Sequence, residues 1–368
     1  MLAKSKRIVI KIGSSLLADE AAGTVRGAWL AALADDIGEL RRQGKEIIVV
    51  TSGAIALGRL QLGLKAKPVL LEEKQAAAAC GQIALCAAWA QALDRHSIKV
   101  AQLLLTAEDS IERGRYLNAR NTIDTLLELG AIPIINENDT VATAEIRFGD
   151  NDRLSARIAQ MAGADLLILF SDIDGLYSAD PTKRPKAEFI AEITEITPSI
   201  EQMAAGASSS SGTGGMVTKL AAAKIAMQAG CTMLIARGTV LHPLRALAEG
   251  GRCSRFTAAL SPLSARKHWI AGSLHAAGSV TVDDGAAAAL RAGKSLLPAG
   301  VTEIDGEFSR GDAVLIKDGK NAIIAKGLIA YASQDAGRIL GKKSSDIEQI
   351  LGFKRRDVLI HRDDMVLE

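Results

Sequence analysis

The strongest constraint on the fold is a series of strand-length segments that are apolar nearly end to end. They are Arg7–Ile12 (RIVIKI), Glu46–Val50 and residues 98–105, 132–135, 165–170 and 232–236. A strand with one face in water alternates apolar and polar side chains, whereas a strand covered on both faces does not. Between these segments, residues 25–43, 71–95, 116–129, 153–161 and 216–228 have helical spacing, with Gly44 and Gly130 as stops. Strands of this kind alternating with helices predict an α/β fold, a mainly parallel sheet sandwiched by helices.

Open sheets of this class bind ligands outside the carboxyl ends of their strands. Those ends carry small or polar turns: Lys11-Ile12-Gly13-Ser14-Ser15, Thr51-Ser52-Gly53-Ala54, Asn136-Glu137-Asn138-Asp139 and Ser171-Asp172-Ile173-Asp174-Gly175. A second acid-and-amide cluster, Gly149-Asp150-Asn151-Asp152, precedes a helical segment, with Asn151 or Asp152 expected as its N-cap. Asn donates and accepts while ionised Asp only accepts, so the two clusters suit a small zwitterion. The run Gly212-Thr213-Gly214-Gly215-Met216-Val217-Thr218-Lys219 enters a helix. It reads as a phosphate cradle, with backbone N–H groups around the oxygens and Lys219 as a point charge. It is not a Walker A loop, since GxxxxGK[ST] is absent. With Lys11 at the end of the first strand, the pattern predicts two cations flanking a transferring phosphoryl group. Phosphoryl transfer depends on positioning and charge neutralisation more than on covalent chemistry. No Ser-His-Asp order or zinc spacing is present, and none of the five histidines is expected to be catalytic.

Composition limits the alternatives. A net charge of +2 and 3% aromatic residues do not favour nucleic acid as the main partner. Cys80, Cys86, Cys231 and Cys253 form no CxxC pair and read as reduced thiols. No signal-type segment opens the chain, and the alanine-rich stretch 76–90, interrupted by Gln82, reads as a packed helix. The expectation is a cytoplasmic enzyme. At 368 residues the chain has room for two units. Residues 1–260 are expected to form the catalytic domain, 261–276 a linker, and 277–368 a small β-rich module.

Taken together, the Lys11–Ser15 turn, the Thr51–Ala54 turn, both acid-and-amide clusters and the glycine run resemble the amino acid kinase family. Within it they are most similar to the branch that phosphorylates the γ-carboxylate of L-glutamate. The tail from about residue 277 resembles a PUA domain, an RNA-binding module. The resemblance implies an ATP-dependent transferase using Mg2+ in the first step of proline biosynthesis, with proline as feedback inhibitor. It implies Lys11, Lys219 and Asp152 as the catalytic group. Ser52, Asp139 and Asn151, with Asp150 beside them, would hold glutamate. Lys11, Ser171, Asp172, Thr213, Gly214, Gly215, Met216, Val217, Thr218 and Lys219 would contact ATP, and no residue is singled out as a metal ligand. Assembly into a homo-oligomer (dimer or tetramer) and handover of the labile acyl phosphate to glutamate-5-semialdehyde dehydrogenase are further implied. One departure is the serine run 208–211 before the glycine motif. Other readings remain open: an acetylglutamate, aspartate or carbamate kinase of the same fold, or an RNA-binding protein acting through Lys342-Lys343 and Lys354-Arg355-Arg356.

Overall fold

The computed structural model describes residues 2–64, 70–142, 151–205, 215–273 and 275–368. The chain divides into two compact units, Met1–Pro262 and Leu263–Glu368. In the first, an eight-stranded sheet is built from β1 (Arg7–Ile12), β2 (Glu46–Val50), β3 (Val100–Leu105), β4 (Ile132–Glu137), β5 (Leu166–Ser171), β6 (Glu192–Ile193), β7 (Thr232–Arg237) and β8 (Cys253–Phe256). Their spatial order is β6-β8-β7-β5-β1-β2-β4-β3. All neighbours are parallel except β7 and β8, which are antiparallel.

Side-chain parity explains why these strands are apolar throughout. Ile8, Ile10 and Ile12 of β1 enter one core with α1 (Gly27–Arg42), contributing Leu33 and Ile37, and with Leu85 and Trp89 of a later helix. Val9, between them, points to the opposite core with Ile48, Val50, Leu167 and Leu169. A period of two therefore puts Lys11 on the face of Val9 and not on that of Ile10. That second face is covered by helices carrying Leu154, Ile158 and Leu220, among which the ionic centre of the site lies.

Two further helices, α2 (Ala54–Gln61) and α3 (Leu71–Asp94), cross backbone to backbone. A Cβ on Gly58 would stand 1.9 Å from the Ala77 carbonyl oxygen, and one on Gly81 would stand 1.9 Å from that of Ala54. Ala54/Gly58 and Ala77/Gly81 thus form a small-residue seam that lets α3 lie close to the strand ends. Residues 76–90, expected as a packed helix, lie within α3, which buries Ala77, Gly81, Leu85 and Trp89. It is also the one helix among the described residues long and apolar enough to cross a bilayer. Gly81→Ala should drive the two backbones apart and cost about 2–3 kcal/mol, the usual penalty for overpacking. A urea unfolding curve with an unchanged midpoint would show that the crossing is not tight.

The remaining helices of this unit that bear on the site are α4 (Arg113–Glu128), α5 (Asn151–Ala162) and α6 (Met216–Gln228). Asn151 and Asp152, expected as N-caps, both lie inside the first turn of α5. Their side chains are drawn instead to partners across the strand ends, as described below. Asp150, Thr213, Gly214 and the serine run lie outside the described residues.

The second unit has its own sheet and core. Strands β9 (Ala276–Val282), β10 (Val301–Asp305), β11 (Ala313–Lys317), β12 (Ile323–Leu328) and β13 (Met365–Leu367) lie in the order β10-β9-β11-β12-β13. Val280, Val314, Tyr331, Ile347 and Ile360 are buried among them. Residues 261–276, expected to link the units, contain a helix, α7 (Pro262–Ser273). Its Ile270 packs with Ala313 and Leu328, and its Arg266 lies 2.6 Å from Asp364. These contacts attach α7 to the second unit.

Candidate active site

The site residues converge because parallel strands end at one edge. Lys11 is the fifth residue of β1, in register with Val50 of β2 and Leu169 of β5. Ser52 follows β2, Asn136 and Glu137 end β4, and Ser171 ends β5. Helices α5 and α6 begin at this same edge and bring Asp152 and Lys219 in from above.

At its centre is a buried ionic triad. Asp152 is fully buried, and Lys11 and Lys219 are 8% and 5% exposed. Lys11 Nζ lies 2.5 Å from Asp152 Oδ1, and Lys219 Nζ lies 3.1 Å from Oδ2. Thr218 Oγ1 lies 3.1 Å from the same Oδ2 and 2.8 Å from the Gly215 carbonyl, and its one proton is shared between these two acceptors. Burial by itself would raise the pKa of the Asp152 carboxyl. The two ammonium charges outweigh it and hold the group down, to about 2. The carboxylate is therefore permanently ionised near neutrality and cannot serve as a base. With two cations on one anion the triad carries a net positive charge, suited to stabilising a phosphoryl group in flight.

A second arrangement, a relay of amides, leads away from the triad. Asn151 Nδ2 shares its two hydrogens among three acceptors, the Thr51 carbonyl at 2.6 Å, Ser52 Oγ at 2.7 Å and Asn136 Oδ1 at 2.9 Å. Asn136 Nδ2 in turn donates to Gln82 Oε1 of α3 at 2.8 Å. Trp89, one helical stretch further along α3, donates from its indole to Thr51 Oγ1 at 3.3 Å and braces the same turn. Beyond the relay is a cavity of about 270 Å3 lined by Gln82, Glu137, Asn138, Asp139, Leu104 and Ile83, among others. On the other side of β1, Ser171 Oγ donates to Asp172 Oδ1 at 2.9 Å. Ser171 follows Phe170, which pairs with Ile12, so this turn stands next to Gly13. A Cβ on Gly13 would lie 4.0 Å from Lys11 Nζ, which leaves the approach to that lysine open.

Of the expected residues, Lys11, Asp152, Lys219 and Thr218 are in direct contact, and Ser52 and Asn151 form one hydrogen-bonded pair. Asp139 lies on the cavity wall. Gly215 supplies a carbonyl to Thr218, and Val217 is exposed. Nothing in the sequence marks Gln82 as functional; it stands there as the polar interruption of an alanine-rich helix. That interruption was the available signal.

Residues 6–237 match the model of the amino acid kinase family. The chain belongs to the amino acid kinase family. Residues 278–351 match the PUA domain, the module at the core of the second unit. The glutamate 5-kinase of Paramagnetospirillum magneticum is 59% identical over 100% of this chain and 99% of that protein. The glutamate 5-kinase of Rhodopseudomonas palustris (strain BisA53) is 58% identical, covering 98% of this chain and 96% of that one. The carbamate kinase of Giardia lamblia, solved bound to AMP-PNP, superposes with a TM-score of 0.50 at 17% identity. It covers 69% of this chain and 99% of its own length, a likeness of fold alone. As a kinase of the amino acid kinase family, the chain takes its phosphoryl group from ATP.

Proposed function

We propose that the chain transfers the γ-phosphoryl group of ATP to the γ-carboxylate of L-glutamate, the first step of proline biosynthesis. The observation that carries this reading is the buried Lys11–Asp152–Lys219 triad beside an amide-lined cavity, in a chain 59% identical to a glutamate 5-kinase throughout its length. A γ-carboxylate oxygen attacks the γ-phosphorus, and the bond to the β,γ-bridging oxygen breaks. The electron pair leaves with ADP, and γ-glutamyl phosphate is formed. The acceptor is already ionised at pH 7, with a pKa of about 4.3, so no general base is required. Both reactants are anions, and Lys11 and Lys219 offset their repulsion while Asp152 holds the two lysines in place.

Mg2+ would add charge neutralisation on the ATP phosphates, its usual place in kinases. Both Asp152 oxygens face lysine ammonium groups. The chain thus fits an ion carried in by the nucleotide. Ser171, Asp172 and the stretch from Thr213 to Lys219 form the ATP side of the proposal, and Ser52, Asp139, Asn151 and Asp150 the glutamate side. The experiment is a kinase assay with L-glutamate, N-acetylglutamate and aspartate, trapping the acyl phosphate with hydroxylamine. Hydroxamate formed from glutamate alone supports the reading, and preference for either rival substrate overturns it.

Asp139, on the cavity wall, is assigned to the α-ammonium group. Asp139→Asn is then expected to raise KM for glutamate steeply with KM for ATP unchanged. Proline, as a competitor for the same pocket, should lose potency in this variant. Equal changes in both KM values would remove Asp139 from the amino-acid pocket.

The domain division belongs to the same proposal, with all the chemistry in the first unit. A chain ending at Pro262 should stay soluble and phosphorylate glutamate, because α7 packs into the second unit. Aggregation or complete inactivity beside active full-length protein would overturn it. A cytoplasmic location, a homodimer or homotetramer, and handover of the acyl phosphate to glutamate-5-semialdehyde dehydrogenase complete the picture. For the second unit, RNA binding is favoured by the PUA match and by the grouping of Arg310 with Arg355 and Arg356. Filter binding of structured RNA with a steep salt dependence would support this role.

A further inference from the structure

Gln82 ends the amide relay in a way that calls for a ligand. Each amide in the relay is oriented by its neighbour. The Thr51 carbonyl can only accept, so Asn151 must present Nδ2 to it. Asn136 must then present Oδ1 to Asn151, and Gln82 must present Oε1 to Asn136. This leaves Gln82 Nε2 as the free end. Gln82 is 8% exposed, and among the described residues its Nε2 has no hydrogen-bond partner. A buried donor without an acceptor is destabilising, and nearly all such groups in folded proteins are satisfied by protein, water or ligand.

The cavity that Gln82 lines also bears Glu137 and Asp139, which are acceptors carrying negative charge. Its volume of about 270 Å3 lies just below the ~300–1,000 Å3 typical of ligand pockets and suits a small molecule. The unpaired amide calls for an acceptor on the guest, and the acidic wall favours a cation beside it. The α-carbon of an amino acid carries both groups. The other end of the relay, Asn151, is the chain neighbour of Asp152 in the ionic triad. The relay therefore spans from the phosphoryl end of the site to the amino-acid head.

We infer that Gln82 is a specificity-determining residue: its Nε2 donates to the α-carboxylate of the amino-acid substrate and so selects an α-amino acid over a simple ω-amino acid. This rests on the glutamate-kinase reading above and adds to it a residue that recognises a group remote from the reacting carboxylate. Binding fills the vacant donor, while the Oε1 contact to Asn136 keeps the amide oriented.

The test compares L-glutamate with 4-aminobutanoate, which lacks only the α-carboxylate, and with glutarate, which lacks only the ammonium group. Gln82→Met keeps length and removes both hydrogen-bonding atoms. Gln82→Glu keeps an acceptor for Asn136 and replaces the donor with a negative charge. In Gln82→Met, kcat/KM for glutamate should fall roughly 10- to 100-fold further than that for 4-aminobutanoate, as expected for a lost hydrogen bond to a charged group, since both substrates share the loss of the Asn136 contact. In Gln82→Glu, glutamate should fall further and glutarate with it, so that the glutamate/4-aminobutanoate ratio drops below that of Gln82→Met. Inhibition constants of the two analogues against glutamate give the same comparison where their turnover is slow. Equal losses for glutamate and 4-aminobutanoate in both variants would overturn the inference and make Gln82 a support for Asn136. Unchanged glutamate kinetics would overturn it as well. A wild-type protein forming no hydroxamate from glutamate would instead refute the kinase reading itself, a separate outcome.

Discussion

Lys11→Met and Lys219→Met are each expected to lower kcat by on the order of 10²–10³, the usual loss when one preorganised charge is removed from a transition state. Methionine nearly matches the lysine stem, so packing around β1 and α6 should survive. The two ammonium groups are held on opposite oxygens of Asp152, at 2.5 and 3.1 Å, and neither needs to reorganise as the phosphoryl group moves. Removing either lysine leaves the triad with no net charge. Because they act on the same moving charge, the double variant should lose less than the product of the single losses. Steady-state kinetics in both substrates decide the matter. Near-normal kcat with a raised KM for ATP would make the altered lysine a binding residue only.

Asp152→Asn should have the largest combined effect, because it leaves two buried ammonium groups facing one another without a counter-charge. Breaking a buried ion pair from one side costs about 3–5 kcal/mol. The loss of kcat should at least equal that of either lysine variant, since both lysines lose their anchor. Adding Lys219→Met to Asp152→Asn should restore part of the stability and none of the activity, as only one unpaired charge remains. If the double variant were no more stable than Asp152→Asn, the penalty would not come from charge.

The same carboxylate predicts a pH dependence with a definite sign. Its pKa is depressed in the folded protein to about 2 from an ordinary value near 3.8, so its contribution is complete above the ordinary value. The contribution then declines as pH falls toward about 2, and amounts to roughly 2 kcal/mol. The stability difference between wild type and Asp152→Asn should accordingly be flat from neutrality to about pH 5 and shrink below about pH 4. A difference that grows on acidification would reverse the sign and show that Asp152 is not paired in the folded state.

Much of this could be read before any coordinates, because local signals carry it. Strands apolar nearly end to end, such as Glu46–Val50, have nowhere to go but between two layers of helices, and Gly44 and Gly130 mark where helices must stop. A strand end and a glycine-loop helix start singled out Lys11 and Lys219 as a pair of cations, and only the family resemblance added Asp152 to them. The β-rich tail announced itself through short segments separated by turn residues.

Other features depend on elements far apart in the chain. Nothing local to Asn151 says that its amide serves Thr51 and Ser52, about a hundred residues earlier, and local spacing favoured a helix cap instead. The α2–α3 crossing depends on two glycines whose partners are each other's backbones, so neither glycine stands out alone. Helix α7 reads as a linker because its own apolar spacing is weak, and what ties it down lies far along the chain, at Ala313, Leu328 and Asp364 among others. Gln82 is the clearest case. In the sequence it is one polar residue in an alanine-rich helix. Its meaning depends on Asn136, on a strand face that parity turns toward α3, and on a carbonyl at Thr51 that orients each amide in turn. By itself the sequence determined which residues must be buried and which strand-end turns carry the charges, since periodicity and residue chemistry act locally. Only the tertiary structure decided which buried polar atoms satisfy one another and which one is left for a substrate, because hydrogen-bond direction is settled by neighbours in space.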